Sequence, residues 1–237
     1  MEKVIFVVRS SEPGRVGHAL LSEAAPQLLD LAVSGLTIDT LDPSVDISRS
    51  AASTADPEFA GLVSLWLDSI DDRAPVLEAL LVESARIDGY LVTESMPLRY
   101  PDRDWPDGET TPGPVLLTLF TQPEGLSDED FFAFWHGSHT PLSFQIHPLW
   151  RYERNVVTRR LTLGAPPWRG IVKESFRRLD DLTDPMRLFS GDGDPERMKE
   201  NARRSMEDGA RFLDFEGGVQ TYALTERILR SFLPLAR

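Results

Sequence analysis

The segment LSDEDFFAFWHGSHTPL, residues 126–142, holds the chain's densest group of side chains that can transfer protons or bind a ligand. It carries Trp135, His136 and His139, and the whole chain has only 4 histidines. Because imidazole titrates near neutral pH, His139 could act as a general base on an enolisable or phenolic substrate. The alternative is structural, since a histidine near a helix C-terminus also bonds free carbonyls and complements the helix dipole.

His136 precedes His139 by three residues, so both side chains are expected on one flank of a helix. Two histidines at this spacing could hold a metal if Glu174 or Asp214 supplied a third ligand. Transition-metal sites usually need three protein ligands, and the sequence shows no complete set. We therefore interpret His136 as a residue at the rim of a pocket, and we predict neither a metal nor another cofactor.

Aromatic residues on the same helix offer a wall for a flat ligand, although core packing is their usual role. Phe131 and Trp135 are the candidates. On the strand that follows, Tyr152 and Arg154 alternate and so share one face, whereas Asn155 takes the other. Tyr152 could donate a hydrogen bond to a ligand carbonyl, or it could be a buried tyrosine bonded by the backbone.

Glu174 stands between Val172 and Phe176 on one face of a later strand. A carboxylate among apolar neighbours is either paired with a cation or functional. Pairing with an arginine and a role as an acid of raised pKa both remain open. The sequence thus predicts two catalytic residues, His139 and Tyr152, and six ligand-binding residues, namely Phe131, Trp135, His136, Arg154, Asn155 and Glu174.

Composition narrows the class of protein. The 237 residues are 41% hydrophobic and 27% charged, which is typical of a soluble globular protein. The net charge of −13 argues against nucleic acid as a partner. The absence of cysteine excludes disulfides and thiolate chemistry and fits the cytoplasm. No apolar run approaches the roughly 20 residues of a membrane span, and the N-terminus is interpreted as a strand and not as a signal peptide.

Hydrophobic periodicity predicts the same order of elements twice. Two helices are expected in each half, and in the second half Pro141 is expected to end the first of them. Strands are predicted at 4–8, 36–41, 61–67 and 86–98 in the first half, and at 115–120, 152–163, 171–177 and 219–226 in the second.

Each half therefore reads β-α-β-β-α-β, which is the order of a ferredoxin-like unit. The fold class is α+β, with two tandem ferredoxin-like repeats packed as a pseudo-dimeric barrel. We assign residues 1–99 to a degenerate N-terminal repeat, 100–113 to a linker rich in proline and aspartate, and 114–237 to the C-terminal repeat. The chain is expected to be a monomer with an internal pseudo-dimer, or a homodimer.

The second half resembles the EthD-like branch of the dimeric α+β barrel superfamily. That branch has an aromatic-rich helix ending in W-x-x-x-H-x-P, which Trp135, His139 and Pro141 match. A later D-x-x-x-F-x-D motif is matched by Asp208 and by the phenylalanine and aspartate that follow it. The first half matches only in the order of its elements.

The resemblance implies a fold more than a reaction, because relatives include cyclases, cofactor-free oxygenases, decarboxylases and dehydratases. Our leading hypothesis is a protein that binds a small apolar or aromatic metabolite at the mouth of its second half. If it is an enzyme, His139 would move a proton without a cofactor and Tyr152 would polarise a carbonyl, in a cyclase, dehydratase or decarboxylase reaction. The alternatives are a non-catalytic binding or assembly protein with a closed core, and a cofactor-free oxygenase.

Overall fold

Eight strands and two sets of helices make up the described part of the chain. The computed structural model describes residues 1–31, 33–42, 56–81, 85–101 and 103–232. The strands are β1 (Glu2–Arg9), β2 (Gly35–Leu41), β3 (Phe59–Leu67), β4 (Arg86–Leu98), β5 (Val115–Phe120), β6 (Leu149–Arg160), β7 (Gly170–Phe176) and β8 (Val219–Arg230).

The helices lie outside the strands. In the first half they are α1 (Pro13–Ala19), a π-helical segment (Leu20–Ala24), α2 (Ala25–Asp30) and α3 (Arg73–Leu80). In the second half they are α4 (Asp128–Phe132), a π-helical segment (Ala133–His139), α5 (Thr140–Ile146), α6 (Leu179–Thr183), α7 (Pro185–Leu188) and α8 (Pro195–Gly209). None of the helices in the described ranges has both the length and the apolar character to cross a membrane.

The strands form one closed antiparallel barrel in the order β1-β3-β2-β8-β5-β7-β6-β4, and β4 pairs with β1. The four strands of each half stay adjacent, and the halves join where β2 meets β8 and where β4 meets β6. Within each half the order is fourth, first, third, second. The predicted mixed α+β fold with a barrel is confirmed at this level.

Alternation along the strands separates two apolar layers. In β1, Ile5 and Val7 face the inside of the barrel, whereas Val4, Phe6 and Val8 pack beneath the first-half helices. The first-half layer between sheet and helices consists of buried aliphatic and aromatic side chains. The matching layer of the second half contains a cluster of aromatic residues and, beside it, polar groups.

A layer of buried charges crosses the inside of the barrel. The Lys173 Nζ lies 2.9 Å from Asp39 Oδ2 and 2.6 Å from Glu226 Oε1, and Arg151 Nη1 lies 2.7 Å from the same Glu226 oxygen. Glu153 pairs with both Arg151 and Lys3. Because a buried charge is tolerated only with a partner, these ion pairs fix how the strands of the two halves face each other.

The sequence-based hypothesis placed the ligand at the mouth of the second half of the barrel. The inside of the barrel is occupied by buried apolar side chains and by the charged layer. The cavity beside Trp135 lies on the opposite, outer face of the second-half sheet, beneath the helices. The sequence could not show this, because residues that alternate along a strand do not reveal which face is covered by a helix.

The prediction that Pro141 ends its helix is wrong, because Thr140–Ile146 continues the helical path through and beyond it. The preceding π-helical segment, Ala133–His139, explains why the helix tolerates this proline. Its wider winding makes room for the proline ring, which in a regular helix would clash with a carbonyl of the preceding turn. The Thr140 amide and hydroxyl both donate to the Trp135 carbonyl, which ties the two segments together.

Of the segment predicted as a linker, residues 100–113, the described residues 100, 101 and 103–113 pack against the barrel. Tyr100 donates to Ser175 across 3.0 Å or to Glu226 across 3.1 Å, and the Thr111 hydroxyl donates to Glu226 across 3.0 Å. Trp105 is buried. This segment therefore adds hydrogen-bond partners to the charged layer.

Candidate functional site

A cavity of about 160 Å³ lies between the outer face of the second-half sheet and the helices that cover it. Apolar residues of both the sheet and the helices form its walls. The sheet contributes Leu116, Phe120, Val172 and Val219, and the helices and the loop after them contribute Trp135, Phe212, Leu213 and Phe215. Seven polar or ionisable side chains also line it, namely Thr118, His139, His147, Tyr152, Glu174, Ser205 and Thr221.

His139 and Asp208 form a hydrogen-bonded pair at the helical wall of the cavity. The His139 Nδ1 lies 3.1 Å from Asp208 Oδ2. Ser138 donates to Asp208 Oδ1 across 2.5 Å, and Arg211 donates to the same oxygen across 3.0 Å. A carboxylate only accepts hydrogen bonds, so the His139 proton resides on Nδ1 and its Nε2 carries a lone pair.

The environment of His139 favours its neutral form. Burial lowers the pKa of this imidazole below its ordinary value, and the adjacent Asp208 opposes that shift. The side chain is 19% exposed, so it is accessible from the cavity while most of it is desolvated. A neutral imidazole oriented by a carboxylate is the arrangement of a general base.

His139 does not cap a helix end, which was the structural alternative considered for it. It is the last residue of the π-helical segment, and α5 continues for a further seven residues, Thr140–Ile146. The carbonyls at this point are within a continuing helix. Among the described residues, the polar contact of this imidazole is thus the hydrogen bond to Asp208 on α8.

His147 forms a second fixed pair nearby. Its Nδ1 lies 2.9 Å from the Leu188 carbonyl oxygen, so Nδ1 carries the proton. Its Nε2 therefore accepts, and the Ser205 hydroxyl lies 3.4 Å from it. Burial, together with the charge of His139, lowers the pKa of His147 to about 4, and the bond to Leu188 opposes this shift.

Glu174 brings a carboxyl group into the cavity without a cationic partner. It forms no hydrogen bond or ion pair with the other described residues, and burial raises its pKa from 4.5 to about 7. It lies opposite Tyr152 in the β6–β7 ladder. Burial, and next the charge of Glu174, raise the pKa of Tyr152 to about 12. Tyr152 is therefore a hydrogen-bond donor at neutral pH.

The structure brings four of the predicted site residues to this cavity. They are Trp135, His139, Tyr152 and Glu174. Phe131 is fully buried behind them, with its ring 5.6 Å from that of Trp135.

The three remaining predicted residues lie elsewhere. His136 packs on Phe132 and Trp135, and burial, then the charge of Arg154, lower its pKa to about 4. Arg154 donates to Ser95 and Thr140. Asn155 points to the inside of the barrel and donates to Glu153. Their functional assignment remains a prediction.

Sequence reasoning did not identify His147, Ser205 or the role of Asp208. Ser205 and Asp208 lie on α8, 58 and 69 residues from their histidine partners. Asp208 does belong to the D-x-x-x-F-x-D motif. That motif indicates helix α8, but it gives no indication that Asp208 contacts His139. Among the described residues, no three His, Asp or Glu side chains are grouped so that they could hold a metal ion.

Comparisons with known proteins give a fold and no family. No protein-family model and no curated protein matches the chain. An anthrone oxidase-like protein of known structure is 12% identical, with a TM-score of 0.59 over 100% of this chain and 97% of that chain. A proposed monooxygenase from Lactobacillus acidophilus is 11% identical, with a TM-score of 0.46 over 97% and 96% of the two chains. The first likeness supports the α+β barrel architecture, and at this identity it concerns the fold alone.

Proposed function

We propose that the protein is an enzyme that binds a small, largely apolar or aromatic metabolite in the second-half cavity and transfers a proton to or from it without a cofactor. His139 acts as the general base. The observation that supports this most is the His139–Asp208 pair on the wall of a cavity lined mainly by apolar residues, with Nε2 unbonded among the described residues.

The mechanism follows from the positions of four side chains. His139 Nε2 takes a proton from an acidic C–H or O–H of the ligand, and Asp208 stabilises the imidazolium that forms. Negative charge then develops on a ligand oxygen. Tyr152 can donate to that oxygen, and so can the protonated form of Glu174, which burial favours by raising the pKa of this carboxyl group to about 7.

The size of the cavity limits the ligand. A cavity of about 150 Å³ is enough for a benzene-sized molecule. The 160 Å³ cavity therefore takes one ring or a chain of similar volume, whereas a polycyclic ligand would require the helices to move away from the sheet.

A cofactor-free oxygenase is the second candidate. The similarity to an anthrone oxidase-like protein favours it, at the level of the fold. The first step would be the same, because a ligand deprotonated by His139 is the species that reacts with oxygen. The non-catalytic alternative is less favoured, because a binding or assembly protein has no need of an oriented neutral histidine beside an unpaired carboxyl group.

We also infer that the chain consists of two related ferredoxin-like repeats of the EthD-like type. Three features support this. Both halves share the strand order, both have a π-helical segment in the first helix, and Pro26 and Pro141 each stand at the second position of the segment that follows. Two residues before each proline stand Ala24 and His139, so the first repeat has a buried alanine where the second has the proposed base.

The test is a panel of single-ring phenols and cyclic diketones, screened by thermal shift and then by oxygen uptake. Binding without oxygen uptake, together with C–H proton exchange, supports the proton-transfer enzyme. Oxygen uptake that is lost in His139→Ala supports the oxygenase. If no compound of this size shifts the melting temperature, and none is retained by the purified protein in mass spectrometry, the proposed function is wrong.

A further inference from the structure

The cavity presents two hydrogen-bond acceptors whose character is fixed by groups behind them. His139 donates from Nδ1 to Asp208, and His147 donates from Nδ1 to the Leu188 carbonyl. In each ring the remaining Nε2 is therefore an acceptor. The two rings are close enough for charge on His139 to lower the pKa of His147. A ligand that satisfies both rings must bring two donors.

The existing partner of His147 is weak. The Ser205 hydroxyl lies 3.4 Å from His147 Nε2, longer than the 2.7–3.2 Å typical of protein hydrogen bonds that involve nitrogen. A ligand hydroxyl that approached at normal distance would replace a poor bond with a good one. No described group bonds the Nε2 of His139, so that acceptor is also available.

The charges around the cavity select against anions. Among the described residues that line it, none is a lysine or an arginine. Arg211 bonds Asp208 and Ser138 behind the histidine and lies over the ring of Phe134. Glu174 contributes a carboxyl group of its own. A ligand carboxylate would thus be buried without a counterion, which costs several kcal/mol as an order of magnitude.

We propose that the ligand is an uncharged, single-ring compound with two hydroxyl groups, one donating to His139 and one to His147, and that carboxylates are excluded. This rests on the proposed function, because it concerns the same cavity. It makes His147 a specificity-determining residue and reserves proton transfer for His139.

The test is isothermal titration calorimetry at pH 7.5 with four probes of similar size: resorcinol, catechol, phenol and benzoate. At least one of the two diols should bind at least tenfold more tightly than phenol, and benzoate should not bind measurably. In His147→Phe the diol should lose this tenfold advantage while phenol still binds. Ser205→Ala removes the competing hydroxyl and should leave the affinity for the diol unchanged or raise it severalfold.

His18→Phe, an exposed histidine of the first half, is the matched control and should behave as the wild type. Phenol binding as tight as that of both diols, benzoate binding, or a diol preference that survives in His147→Phe would overturn this inference and leave the proposed function standing. Failure of all four probes and of the larger panel would overturn both. A melting curve for each variant separates loss of binding from loss of folding.

Discussion

The Nδ1 of His139 lies 3.1 Å from Oδ2 of Asp208, and this contact joins the first helix of the second half to α8, 69 residues later. The contact fixes the tautomer of the imidazole and the distance between the two helices that cover the cavity. The chemistry proposed for this protein depends on it, because only the Nδ1–H tautomer leaves Nε2 free as a base.

Replacing Asp208 by asparagine should therefore change the tautomer of His139 while the shape of the cavity is preserved. An asparagine at this position can donate as well as accept, so the Nδ1–H tautomer is no longer enforced. We expect turnover to fall by about 10²–10⁴-fold, the range for loss of general-base catalysis. Nitrogen-15 NMR of the imidazole provides a readout that does not depend on activity.

The control is Asp180→Asn, an exposed aspartate of α6. It should leave both turnover and the His139 spectrum unchanged. If Asp208→Asn retains full turnover and the wild-type tautomer, Asp208 is not the group that orients His139.

Glu174 should make the protein less stable as the pH rises. Its folded pKa of about 7 lies above the ordinary 4.5, so the folded state holds a proton that the unfolded state releases between these values. The resulting loss between pH 4.5 and pH 7 is at most about 3 kcal/mol. Urea unfolding at pH 5 and pH 8 should show a smaller loss for Glu174→Gln than for the wild type.

The control for this measurement is Glu196→Gln, because Glu196 is 83% exposed on α8. Asp39, whose pKa burial raises to about 6, also titrates between pH 5 and pH 8. The contribution of Glu174 is therefore the difference in stability loss between Glu174→Gln and the wild type. Identical pH dependence in Glu174→Gln and the wild type would show that Glu174 is ionised and solvated at neutral pH.

His147 should remain neutral far into the acid range. Burial lowers its pKa from 6.5 to about 4, so the unfolded state binds a proton before the folded state does. Its contribution to stability is present above pH 6.5 and is lost as the pH falls toward 4. An NMR titration of the His147 ring should show no protonation at pH 5.5, and a midpoint near 6.5 would contradict the buried, acceptor-only role given to it.

The charged layer inside the barrel should be intolerant of single replacements. Lys173→Met leaves Asp39 and Glu226 buried without their shared cation, and breaking a buried pair typically costs about 3–5 kcal/mol. Lys199→Met is the matched control, because its salt bridge with Glu196 is solvent-exposed and worth about 1 kcal/mol or less. Similar melting temperatures for the two variants would show that the interior layer is hydrated and contributes little.

Much of the fold could be predicted from the sequence, because it depends on local patterns. Alternation and helical periodicity predicted strands and helices in both halves. The apolar neighbours of Glu174 indicated a carboxyl group on an apolar strand face. The π-helical winding before Pro141 could not be predicted, because it depends on how the helix packs on the sheet.

The site could be predicted only in part, for a related reason. His139 was identified through its position in a motif. Its partner Asp208, and the pairing of His147 with Ser205 and Leu188, depend on contacts between distant elements. The same holds for the charged layer, where Lys173 and Asp39 are 134 residues apart. Such contacts follow from the closure of the barrel, which no local pattern encodes.

The most direct test of the central claim is hydrogen–deuterium exchange at carbon, followed by proton NMR in deuterated buffer. The substrates are resorcinol, whose ring carbons exchange hydrogen through its keto tautomer, and cyclohexanone, which enolises and is uncharged at neutral pH. We predict that the wild type accelerates exchange at one of them and that His139→Ala loses about 10²-fold or more of that acceleration while its melting temperature is preserved. Equal exchange by the two proteins, with the compound shown to be bound, would contradict the assignment of His139 as the base.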